Sequence, residues 1–146
     1  MAVGAVMNQD VKGLIGAAFM TRPICDVFQL ELRSTIGAGN FEEFGDVRTP
    51  QGFDSVFSWS PLQNINPKKQ YPAVLLLPGS ADETVPPSSS YKMLAQLQHD
   101  HPTNNLPLLL YVVPEAGHTS RTLTESVYMF CVMEESLGIT WRKAQS

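Results

Sequence analysis

Two side chains in this sequence stand where acid-base chemistry can occur. Asp82 lies in the turn Pro78-Gly79-Ser80-Ala81-Asp82, directly after the apolar run Ala73-Val74-Leu75-Leu76-Leu77. His118 closes Pro114-Glu115-Ala116-Gly117-His118, directly after the run from Leu108 to Val113. A carboxylate that accepts from one imidazole nitrogen fixes the tautomer and leaves the other nitrogen free to take a proton, which makes a general base. Asp followed by His is also the later part of the chain order Ser…Asp…His. An Asp in a turn and a solvated His are common taken singly, so it is their joint placement, 36 residues apart on successive loops, that points to chemistry.

Placing the pair requires parallel strands. Ala73 to Leu77 is continuously apolar and stopped by Pro78-Gly79, the pattern of a strand buried on both faces of a parallel sheet. Leu108 to Val113 repeats it, and Leu14 to Met20 is a weaker strand diluted by Gly16 and two alanines before Arg22-Pro23 breaks it. Ser88-Ser89-Ser90 offers a cap for a helix over Tyr91 to His99, with Tyr91, Leu94, Ala95 and Gln98 on one face and Pro102 closing it. Thr122-Leu123-Thr124-Glu125 reads as a capping box before an apolar stripe of Leu123, Val127, Phe130, Cys131 and Leu137 that runs down to Gly138. Strands alternating with helices predict an α/β architecture whose chemistry gathers beyond the carboxyl ends of the strands.

Composition narrows the function. The chain has 146 residues, 43% hydrophobic and 16% charged, which suits one compact domain. Its net charge of -4 and lack of a basic stripe exclude a nucleic-acid footprint. The apolar run Ala2 to Met7 is too short for a secretory signal or a membrane span. Two cysteines, Cys25 and Cys131, make neither a disulfide framework nor a metal site, so free thiols and a cytoplasmic location are expected. His99-Asp100-His101 holds metal-ligating types, but adjacent residues seldom converge on one ion, and no metal or cofactor is expected.

The segment Tyr71 to Leu77 followed by Gly79-Ser80-Ala81-Asp82-Glu83-Thr84-Val85-Pro86-Pro87 resembles the strand and catalytic-acid loop of the prolyl oligopeptidase family of serine peptidases. Ser60-Pro61-Leu62-Gln63-Asn64-Ile65, the helix Leu94 to His99, Glu115-Ala116-Gly117-His118 and Gly138-Ile139-Thr140-Trp141 follow in register, and Ala2 to Asp10 resembles the helix after the nucleophile loop. The resemblance implies a partial α/β-hydrolase fold with a mostly parallel sheet flanked by helices, residues 1–146 being the C-terminal portion of a peptidase catalytic domain. It maps Asp82 to the catalytic acid and His118 to the catalytic base for hydrolysis of short peptides. No Gly-x-Ser-x-Gly occurs in the sequence, so the chain is expected to lack the nucleophile and to be inactive alone.

The resemblance also suggests where substrate would lie. Asn40 takes the place of an aromatic that stacks on proline in prolyl oligopeptidases, whereas Phe41-Glu42-Glu43-Phe44-Gly45 is similar to a segment of oligopeptidase B whose acids select basic side chains. Asn40, Glu42, Phe44 and Val85 are therefore the expected substrate-binding positions, while Thr84 replaces a substrate-binding arginine. Two rivals stand beside the peptidase: a non-catalytic remnant that associates with a partner, and an esterase using Ser80 or Ser120. Three parallel strands with open edges are expected to favour self-association.

Overall fold

A computed structural model of the chain describes residues 1–10, 12–34 and 36–141. In chain order these form helix α1 (Ala2–Gln9), strand β1 (Ala17–Thr21), helices α2 (Val27–Arg33), α3 (Phe41–Phe44) and α4 (Pro50–Phe57), strand β2 (Ala73–Leu77), helix α5 (Ser88–Asp100), strand β3 (Leu108–Leu110) and helix α6 (Leu123–Leu137). The sheet has the order β1-β2-β3, and both pairings are parallel. Every residue of β2 is buried, as its unbroken apolar run requires of a central strand.

Alternation across the pleat divides the packing. Ala18, Met20, Val74, Leu76 and Leu108 form one cluster with Met7 of α1 and Met93 and Leu97 of α5. Leu75 and Leu77 point the other way and are also buried, and α6 lies against β1 and β2. A second, smaller cluster of Val27, Val47 and Val56 sits between α2 and α4.

The Ser60 to Ile65 segment acts as a clamp between these parts. Asn8 Nδ2 donates to the Pro61 carbonyl at 2.7 Å while Asn8 Oδ1 accepts from the Tyr71 hydroxyl at 3.0 Å. Leu62 N–H donates to the Cys25 carbonyl at 2.8 Å, and Asn64 Nδ2 donates to the Ser60 carbonyl at 2.9 Å.

The structure corrects several local expectations. The first strand is Ala17–Thr21, and Leu14 is 81% exposed. Asp10 accepts from the N–H groups of Lys12 and Ile15, and Gly13 has φ 67, so this stretch is a turn. Regular β3 stops at Leu110, yet pairing resumes where Val113 N–H donates to the Pro78 carbonyl at 2.9 Å.

On α5 the buried face is Ser89, Ser90, Met93 and Leu97, while Tyr91, Ala95 and Gln98 are exposed. The three serines lie inside the helix, whose N-cap is Pro87; Ser88 Oγ accepts from Gln29 Nε2 and Ser89 Oγ donates to the Pro23 carbonyl. Small polar residues face Gln29 of α2 and the Pro23 carbonyl that precedes it, and apolar count alone pointed to the wrong face.

On α6 the capping box forms as expected and Gly138 closes the helix in the left-handed conformation, φ 64. Its apolar stripe is nevertheless exposed: Leu123 81%, Val127 49% and Phe130 49%. The better-covered positions are Glu125, Met129, Val132, Met133 and Ser136, which share the complementary helical face.

Candidate active site

Asp82 and His118 meet. Both loops leave adjacent parallel strands at the same end, and three bonds zip them together: Ser80 N–H to the Val113 carbonyl at 3.0 Å, Ala81 N–H to the Ala116 carbonyl at 3.2 Å, and Glu115 N–H to Ser80 Oγ at 2.8 Å. Gly79 is required there, because a Cβ on it would lie 2.2 Å from the Ala116 carbonyl oxygen.

Asp82 Oδ2 lies 2.9 Å from His118 Nδ1. Its other oxygen accepts from the N–H groups of Thr84 at 3.0 Å and Val85 at 2.8 Å. The Asp82 side chain is fully buried and that of His118 is 41% exposed. An acceptor-only carboxylate places the proton on Nδ1 and leaves Nε2 as the basic nitrogen. Among the described residues Nε2 makes no hydrogen bond, so it is free for an external proton donor.

Sequence reasoning missed Arg22, which follows β1 on the same sheet edge. Its guanidinium is buried and donates to four oxygens: Nη1 to the Leu77 carbonyl (2.9 Å) and Glu125 Oε1 (2.5 Å), Nε to the Gly117 carbonyl (3.1 Å) and Nη2 to the Ser120 carbonyl (3.0 Å). Burial pushes the Glu125 carboxyl up, but the bonds from Arg22 and from Thr122 outweigh it and hold it below the ordinary glutamate value. A lone arginine beside a strand-breaking proline was the available signal. The four acceptors are carbonyls and a capping carboxylate, which no sequence pattern marks.

The expected substrate positions are spread out. Val85 is buried against the acid loop and borders a small crevice with Leu30, Pro86 and Ser89. Asn40 closes a short 3-10 turn, with Nδ2 donating to the Ile36 carbonyl. Glu42 is exposed at the start of α3, and Phe44 packs edge-on to Trp59 at 5.7 Å. Among the described residues no hydrogen bond or ring contact joins Asn40, Glu42 or Phe44 to Asp82 or His118; the acid loop is instead tied to α2 by Ser34 Oγ donating to the Thr84 carbonyl at 2.6 Å.

Ser80 Oγ accepts from Glu115 N–H and Ser120 Oγ from Gly117 N–H, and neither hydroxyl bonds to His118. His99 is exposed and His101 is buried against the Tyr71 ring, centroids 4.7 Å apart. Among the described residues no three His, Cys, Asp or Glu side chains converge as a metal cluster.

A three-stranded parallel sheet with helices on its faces, and an acid and an imidazole paired beyond the strand ends, defines the α/β-hydrolase class of arrangement. The chain belongs to the prolyl oligopeptidase family, whose model matches residues 1–132. It is 33% identical to prolyl oligopeptidase A of Galerina marginata over 97% of its own length and 20% of that protein's. A solved prolyl endopeptidase superposes with a TM-score of 0.87 at 27% identity, covering 94% of this chain and 21% of that one. Prolyl oligopeptidase B of Galerina marginata, bound to a 35mer hydrolysis and macrocyclization substrate, superposes with a TM-score of 0.85 at 26% identity, covering 96% of this chain and 20% of that one. The chain thus spans about a fifth of the length of these relatives.

Proposed function

We propose that this chain supplies the acid and base of a serine-type oligopeptidase that cleaves short peptides by acyl transfer, as the C-terminal portion of the catalytic domain in the cytoplasm. The observation that carries this reading is the 2.9 Å bond between Asp82 and His118 Nδ1, which leaves Nε2 as the basic nitrogen. In this reading the serine comes from residues other than these 146: no Gly-x-Ser-x-Gly is present, and neither Ser80 Oγ nor Ser120 Oγ bonds to His118.

In the proposed reaction His118 Nε2 takes the serine hydroxyl proton as the oxygen attacks the scissile carbonyl. It then returns the proton to the leaving amine, and Asp82 stabilises the imidazolium formed in between. Water repeats the cycle to release the acyl group. Asn40 offers no ring to stack on a substrate proline, and Glu42 is exposed at the start of α3; cleavage beside proline and cleavage beside a basic residue are the two alternatives that peptide assays separate.

Labelling by a fluorophosphonate and hydrolysis of short peptides test the reading. In the intact protein, His118→Ala should lower kcat by roughly 10⁶-fold and Asp82→Asn by roughly 10⁴-fold, as in other triads. The 146-residue chain alone should remain unlabelled; labelling at Ser80 or Ser120 would overturn the assignment in favour of the esterase.

One observation favours association as a second role. The β1 and β3 edges are unpaired and the α6 stripe is exposed among the described residues, so the isolated chain should bind its own copies.

A further inference from the structure

We propose that Arg22 is a positioning residue for His118, holding the base-bearing loop against the strand that carries the acid. This rests on the reading of Asp82 and His118 as a working pair. Four of its five N–H donors are used on oxygens from three separate parts of the chain.

The Gly117 and Ser120 carbonyls lie on either side of His118 in sequence, and both accept from this one planar group. The Leu77 carbonyl is the last of β2, immediately before the acid loop. One rigid fork therefore indexes the base loop to the acid strand. Without it, the stretch from Gly117 to Ser120 would keep its own short turn, in which Ser120 N–H donates to the Gly117 carbonyl and Gly117 N–H to Ser120 Oγ, the exposed Arg121 bonds to the His118 and Ser120 carbonyls, and the Asp82–His118 bond itself; of these only the last reaches the acid loop.

The placement is costly in ways a surface arginine would not need. Arg22 has φ 48, a left-handed conformation that non-glycine residues rarely adopt. Its charge is buried against Glu125, with side chains 2% and 4% exposed. A buried ion pair is weak support for stability, since an apolar pair of similar volume often replaces it without loss. Retaining it is explained if the fork's geometry matters more than its energy.

The test uses the 146-residue chain and reads the His118 ring Nδ1 proton by NMR beside the urea midpoint. The wild-type chain should show a slowly exchanging Nδ1–H signal; its absence would sink the Asp82–His118 pairing itself, separately from the role of Arg22. In Arg22→Met/Glu125→Gln, which keeps an acceptor for the Thr122 capping box, the urea midpoint should fall while the chain stays folded in the absence of urea, where exchange of that proton should quicken roughly tenfold, the factor expected for loss of one or two hydrogen bonds. Arg22→Lys keeps the charge but cannot span Gly117 and Ser120 together, and should show the same quickening. It covers the case in which the double variant fails to fold. Unchanged exchange in a folded variant would overturn the proposal.

Discussion

His101 shows how a single buried residue can make the whole chain sensitive to pH. Its ring packs at a tilt of 56° against Tyr71, and Nε2 is buried with no hydrogen-bond partner among the described residues. Desolvation lowers its pKa below the ordinary value of 6.5; nearby Asp100 pulls the other way and Lys69 adds to the lowering. Because the folded pKa is the lower one, the unfolded chain takes up the proton first as pH falls. Stability is therefore full above about 6.5 and is lost on acidification through the folded value. His101→Phe keeps an aromatic ring against Tyr71 and removes the titration, so the drop in urea midpoint between about pH 7.5 and about pH 5.5 should be smaller in the variant. An equal drop in both proteins would assign the effect to other groups.

At the scale of elements, the loops that follow β2 and β3 depend on close backbone contact. Gly79→Ala forces a Cβ against the Ala116 carbonyl, so the two loops must separate. A cost of about 1–3 kcal/mol in chemical denaturation is expected, as for other overpacked sites. Much of this level was legible in the sequence. The β2 run was long, apolar and stopped by Pro-Gly, and Thr122 to Glu125 had the spacing of a reciprocal cap, so both elements formed where expected. The approach of Asp82 to His118 followed from two strand-end loops. The faces of α5 and α6 were not legible, because periodicity finds an apolar stripe without saying which neighbour it meets. Arg22 was hidden for a related reason: its partners are mostly main-chain oxygens, which every residue type supplies.

For the molecule as a whole, the exposed apolar surface sets the expectation. Val6, Leu14, Leu123, Val127 and Phe130 are each about half or more exposed, and both outer strands have free edges among the described residues. Light scattering of the isolated chain should therefore report oligomers whose mass rises with concentration, and Val127→Lys/Phe130→Glu should reduce it. A concentration-independent monomer would contradict the association role. No helix among the described residues is long and apolar enough to cross a membrane.

The zipper between the acid and base loops has a kinematic consequence. With Ser80, Ala81 and Glu115 bonded across the gap, the carboxylate and the imidazole move as one body. Under the proposed function, the adjustable coordinate is the distance between that body and the group that presents the hydroxyl, so how the two parts come into register would set the rate.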